Sequence, residues 1–209
     1  MVNNSRLIPR LTDDFLQLGI RNTREIMNNL SPFFTHLIGL RDPHGEAHSN
    51  QVADLAFKLG QQLDLPAEQM EKLEFAAKIH DIGKVAINDF IVTKPGRYTE
   101  AEYLMVQQHA LLGSKLIVTL GLDPIIHLTI LSHHENFDGT GYPYGIRGNQ
   151  IPLEARIIRI ADTYDALTSN RGYRPAFFQK DALEIMEQEQ QHFDPRLLET
   201  FFKMVSIKQ

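Results

Sequence analysis

An all-α fold is predicted for this chain on three observations. Apolar residues recur at helical spacing, N-capping side chains stand repeatedly ahead of proline or acidic residues, and alternating apolar–polar runs are scarce.

Residues 1–40 read as a helical extension or linker that carries none of the motifs discussed below. The first strongly periodic segment is 48–63, where Val52, Leu55, Ala56, Leu59 and Leu63 fall on one face. Met70, Leu73, Ala76 and Ala77 predict a second helix over 67–82. Thr99-Glu100-Ala101-Glu102 has the form of a capping box and opens a helix over 99–120. Ser31-Pro32, Asp123-Pro124 and Asp194-Pro195 each set a capping side chain before a proline suited to the first helical position. The last two pairs start helices over 124–134 and 195–205. Ile157, Ile160, Ala161 and Tyr164 mark 152–168, and a further helix is expected near 180–190. Prolines and glycines gather at 93–97 and 138–152, the two long loops on which a helical scaffold carries function.

Composition bounds the chemistry. The 209 residues are 43% hydrophobic and 22% charged, as in an ordinary globular domain. A net charge of −5 without a long Lys/Arg run disfavours nucleic acid as a bulk electrostatic partner, although a small phosphate ligand needs only a local basic pocket. Cysteine is absent, so any metal must be held by His, Asp or Glu. No run has signal-peptide character or approaches the ~20 apolar residues of a membrane helix, which makes the cytoplasm the expected compartment and excludes the membrane as an expected partner.

The nine histidines are unevenly placed. His44 and His48 lie four apart, His80-Asp81 closes an apolar helix, His109 sits within the helix opened by Thr99, and His133-His134 ends another. Each has an ordinary reading when taken singly. His109 alone reads as a core or surface histidine, the 44/48 pair is evenly balanced between surface and ligand, and His80 or His133-His134 could simply cap helix ends. Asp162 is more informative. It falls within the apolar run ARIIRIADTYDAL, where a carboxylate is costly to bury without a cation. Imidazoles and carboxylates together suit a divalent metal, and more than four of them suggest two.

These residues carry a family resemblance. His48, His80-Asp81-Ile82-Gly83-Lys84 and Asp162 resemble the HD superfamily of metal-dependent phosphohydrolases, and HHENFDGTGYP at 133–143 is similar to the signature of its HD-GYP subfamily. RDPHGEAHS at 41–49, KPGRYTEAE at 94–102, IPLEARIIRIADTYDALTSNRGYR at 151–174 and FDP at 193–195 extend the likeness over roughly 40 to 205. The resemblance implies an HD-type helical bundle with a GYP loop, occupying 41–209 as the catalytic domain. It implies a cytoplasmic bacterial phosphodiesterase for cyclic di-GMP, with upstream sensory or receiver domains, or diguanylate cyclase (GGDEF) proteins, as partners. By position it makes His48, His80, Asp81, His109, His133, His134 and Asp162 metal ligands with Asp81 as the bridge. Lys84 would meet the phosphate, and Gly141, Tyr142, Arg171 and Arg174 would hold the dinucleotide. The two arginines, three apart, have guanidinium forks suited to phosphate oxygens.

One position departs from the pattern. Some family members carry a glutamate four residues before the His48 position and are associated with a third metal, whereas this chain has His44 there. Two divalent ions are therefore favoured over three, with Fe or Mn first and Zn, Ni or Co as alternatives, and His44 is a provisional ligand at most. The expected chemistry is attack on phosphorus by a metal-bridging hydroxide, opening the ring to linear pGpG, with continuation to GMP linked to three-metal members. Asp165 and Asp138 are candidates for orienting a ligand histidine and holding the loop. Two rival readings stand beside this one. Another cyclic dinucleotide such as cyclic GMP-AMP is the first, and a catalytically weak receptor or protein-interaction module is the second.

Overall fold

The computed structural model describes residues 23–170 and 175–206. Helices α1 (Thr23–Arg41), α2 (Gly45–Gln62), α3 (Ala67–Ile79), the single turn α4 (Asp89–Val92), α5 (Glu100–Val118), α6 (Pro124–Ser132), α7 (Leu153–Thr168), α8 (Gln179–Gln188) and α9 (Pro195–Ser206) follow in order. Short 3-10 turns occupy Ile82–Ala86, Gly148–Gln150 and Gln190–His192. No strand occurs among the described residues, so the architecture is all-α as expected.

Helix periodicity explains the packing. α2 turns Val52, Ala56 and Leu59 inward, and these are completely buried. Leu73 of α3, Ile126 and Ile130 of α6, Ile157 and Ile158 of α7 and Phe201 of α9 join them in one core. Each buried Val, Leu, Ile or Phe side chain among them stabilises the fold by roughly 1.5–3 kcal/mol. α2 lies against α3 and α7, while α5 lies against α6 and the 3-10 turn after α3. α1 is part of the same assembly, since Phe34 and Ile38 sit in that core.

Several helix starts form as the sequence suggests. Thr99 and Glu102 make the reciprocal capping box, and the Asp123 side chain accepts the Ile125 amide at 2.9 Å ahead of Pro124. Asp194 accepts the Arg196 amide at 3.0 Å. Ser31-Pro32 is a correction: it starts no helix, because Pro32 lies inside α1. Ile26 and Met27, both buried, extend the helix upstream of the proline, so tertiary burial overrides the local start signal. The helix expected over 67–82 stops at Ile79 and tightens into the 3-10 turn. That over 124–134 stops at Ser132, leaving His133-His134 just beyond its end.

Candidate metal centre

Two helix ends and three further helices deliver the site. His80-Asp81 lies where α3 gives way to the 3-10 turn, and His133-His134 lies at the end of α6. His48 comes from the first turns of α2, His109 from the middle of α5, and Asp162 and Asp165 from α7. Gly83 permits the junction. A Cβ there would lie 1.9 Å from the His109 carbonyl oxygen and 2.5 Å from the Gly113 amide nitrogen. Only glycine lets this turn press onto α5, which brings Asp81 beside His109.

The side chains form two groups with potential ligand atoms within 4.8 Å of one another: Asp81, His109, His133 and His134, and His48, His80 and Asp162. Asp81 faces both. Its Oδ1 is 3.3 Å from His109 Nε2, whereas its Oδ2 is 3.5 Å from His80 Nε2 and 3.8 Å from His48 Nε2.

The histidine tautomers follow from the other ring nitrogen. His80 Nδ1 donates to the Ala77 carbonyl at 2.8 Å, His109 Nδ1 to Val106 at 2.6 Å and His133 Nδ1 to Ile130 at 2.6 Å. In each ring the proton is therefore on Nδ1 and the lone pair on Nε2 faces the interior. His109 Nε2 and His133 Nε2 then approach to 3.2 Å with no hydrogen between them, and His80 Nε2 is buried without a partner. Converging buried lone pairs beside carboxylates are a donor set that fits a cation, so these residues could hold divalent metal.

Asp165 grips His48. Its Oδ2 lies 2.5 Å from His48 Nδ1, while Asp162 Oδ1 lies 3.2 Å from His48 Nε2. Burial lowers the affinity of the His48 ring for a proton, but these carboxylates override it and raise its pKa to about 9. Burial would likewise raise Asp81, yet Lys84 and the surrounding imidazoles hold it well below the usual carboxylate range. Burial keeps His133 and His134 well below the ordinary histidine value, hence neutral and able to ligate. Lys84 stands one 3-10 turn after Asp81, where i and i+3 eclipse, and its Nζ is 2.7 Å from Asp81 Oδ2.

The GYP loop closes the other wall. A Cβ on Gly141 would lie 2.2 Å from the Asn136 amide nitrogen and 2.4 Å from the His134 carbonyl oxygen, so the turn folds back onto the histidines. Tyr142 stacks on His134 with ring centroids 4.7 Å apart. Glu135, itself buried, accepts the Tyr144 amide at 2.7 Å. Asp138 accepts the Thr140 amide at 3.0 Å and its hydroxyl at 2.7 Å, which places it in the loop turn and in neither group. His44, at the start of α2, belongs to neither group. Arg171 and Arg174 lie outside the described residues.

Two neighbours of the centre were missed in the sequence. Arg159 lines the metal pocket, and its Nε donates to Asn136 at 3.0 Å. Its spacing of three from Asp162 on a helix was the available signal. Tyr103 packs edge-on against Tyr142 with centroids 6.4 Å apart, and nothing in the local sequence announces it.

The HD domain family profile matches residues 32–197. The chain belongs to the HD domain family. HD domains bind divalent metals, and the paired His/Asp groups are where this one could do so. Among curated proteins, it is 36% identical over 167 residues to the cyclic di-GMP phosphodiesterase PA4108 of Pseudomonas aeruginosa, covering 79% of this chain and 40% of that protein. It is 37% identical over 155 residues to 3'3'-cGAMP-specific phosphodiesterase 3 of Vibrio cholerae, covering 74% and 34%. The chain thus spans less than half the length of these relatives. Among solved structures, an HDGYP protein from Bdellovibrio bacteriovorus superposes with a TM-score of 0.65 at 16% identity, over 88% of this chain and 65% of that one. At that identity the likeness concerns the HD fold alone.

Proposed function

We propose that this HD domain is a metal-dependent phosphodiesterase that opens cyclic di-GMP to linear pGpG. The observation carrying the reading is the 3.2 Å approach of the His109 and His133 lone pairs, both fixed by their Nδ1 hydrogen bonds, beside a carboxylate that faces two ligand groups. His48, His80 and Asp162 would hold one ion and His109, His133 and His134 another, with the Asp81 carboxylate available to both groups. Two groups, with His44 in neither, favour two ions over three; iron or manganese is the expected identity. Bound divalent metals supply an activated water and neutralise charge on the phosphoryl group.

The chain's own residues do the rest. Lys84 offers its ammonium to a phosphoryl oxygen in exchange for Asp81. Asp165 keeps the proton of His48 on Nδ1 and so turns Nε2 inward. Gly141 and Tyr142 shape the wall on which the dinucleotide lies, Asp138 holds that loop, and Arg171 and Arg174 bind its phosphates. Residues 41–209 form the catalytic unit, with a helical extension ahead of it. A sensory or receiver domain, or a GGDEF protein, is its partner. No described helix is long and apolar enough to cross a membrane, and the cytoplasm is the proposed site of action.

A second reading is favoured by the Vibrio relative, whose name specifies 3'3'-cGAMP. Chromatography of products from both cyclic dinucleotides, with metal-loaded protein, separates the two. Preferential opening of cyclic di-GMP supports the first reading, and preference for cyclic GMP-AMP replaces it with the second.

A further inference from the structure

Arg159 lies on α7 one helical turn before Asp162, half-buried in the wall of the metal pocket of about 460 Å³. Asp81, His109, His134, Asp162 and Lys84 border the same space. Three residues earlier on α7, Arg156 has its acid, for its Nη1 donates to Asp194 at 2.6 Å. Arg159 has no such carboxylate partner among the described residues. Its partners are neutral: Nε donates to Asn136 Oδ1 at 3.0 Å and Nη1 to Thr163 Oγ1 at 3.2 Å. The Phe193 ring centroid stands 5.8 Å from Cζ.

These contacts orient the guanidinium. The Thr163 hydroxyl donates to the Arg159 carbonyl at 2.8 Å, so its oxygen is left to accept from Nη1. Asn136 Nδ2 donates to Thr140 Oγ1 at 3.0 Å, and that hydroxyl donates to Asp138 at 2.7 Å, which turns the Asn136 carbonyl oxygen toward Nε. An arginine has five N–H donors, and these bonds use only two of them. The result is an immobilised cation with spare donors, bordering the residues that could hold metal and compensated by no paired anion. We propose that Arg159 is a catalytic residue, donating from its terminal nitrogens to a non-bridging oxygen of the phosphoryl group under attack. The proposal rests on the phosphodiesterase reading above. Lys84 must leave Asp81, 2.7 Å away, to meet such an oxygen. Arg159 has no carboxylate to leave, so it meets charge developing on the phosphoryl oxygens with little reorganisation.

Arg159→Gln tests this, because it keeps a neutral amide donor for the Asn136 carbonyl and removes the charge. Metal content, by elemental analysis, should be unchanged. On both cyclic di-GMP and the small diester bis(p-nitrophenyl) phosphate, kcat should fall about a hundredfold with KM within about threefold. Arg159→Lys should recover about tenfold of that loss, since the charge returns without the fork. Calorimetry of the manganese-loaded protein with tungstate, a phosphate-like oxyanion, should show Kd about tenfold or more weaker in Arg159→Gln. Loss of metal in Arg159→Gln, a loss confined to the dinucleotide, or unaltered kcat and tungstate binding overturns the proposal. Opening of the small diester but of neither cyclic dinucleotide by the unsubstituted chain overturns only the choice of substrate. The small-diester and tungstate comparisons then still decide the role of Arg159.

Discussion

Each oxygen of the Asp81 carboxylate faces a different set of imidazoles, Oδ1 toward His109 and Oδ2 toward His48 and His80. Removing it takes away the carboxylate that faces both groups and leaves the Lys84 ammonium without that counter-charge. Asp81→Ala is expected to lose bound metal and hydrolysis together, by at least about a hundredfold, as measured by elemental analysis and product chromatography. Lys84 differs, since it can donate only to an oxygen. Lys84→Ala should retain metal and lower turnover by roughly a hundredfold, the cost of one missing donor at a developing charge. Metal loss in that variant would show that the lysine supports the site rather than the substrate. At this scale much was legible in the sequence, because a carboxylate in an apolar helix and an His-Asp pair at a helix end are chemically expensive placements. Asp165 was legible too, one helical turn beyond Asp162. Tyr103 was not, because its partner Tyr142 is far along the chain and no local pattern encodes that contact.

The element that determines the site is the turn Ile82–Ala86. Its close seat on α5 depends on Gly83, where a methyl group would collide with the His109 backbone. Neighbouring backbone cannot yield as a flexible side chain can. Gly83→Ala should destabilise the fold by about 1–3 kcal/mol or more, read as a lower urea midpoint. It should also weaken metal retention, because Asp81 and His109 are separated by the same displacement. Helices were readable from period and capping chemistry, as the Thr99 box and the Asp123-Pro124 start demonstrate. Pro32 misled for a physical reason: its local signal is weaker than the burial of Ile26 and Met27 on the preceding turn. The 3-10 turn was not separable from α3 in the sequence, since the same residues fit either winding until Gly83 meets α5.

For the molecule as a whole, the buried imidazoles tie stability to pH. In metal-free protein the His48 pKa is raised from 6.5 to about 9, because Asp162 and Asp165 override the burial that opposes its charge. That contribution is complete below 6.5 and is lost as pH rises toward 9. Burial holds His109, His133 and His134 below the ordinary value, so below 6.5 the unfolded chain takes up protons that these rings refuse, and stability falls. The urea midpoint of the metal-free chain should therefore be highest near pH 6.5 and decline on both sides, whereas a flat profile between pH 5 and 9 would contradict this electrostatic picture. Metal binding requires neutral rings, so metal affinity should rise with pH over the same interval. The measurement that tests the central claim most directly is metal analysis of anaerobically purified protein, followed by chromatography of its products from cyclic di-GMP with manganese or ferrous iron. The two ligand groups predict about two divalent ions per chain and accumulation of pGpG. A fully metallated protein that leaves cyclic di-GMP and cyclic GMP-AMP intact would contradict the account.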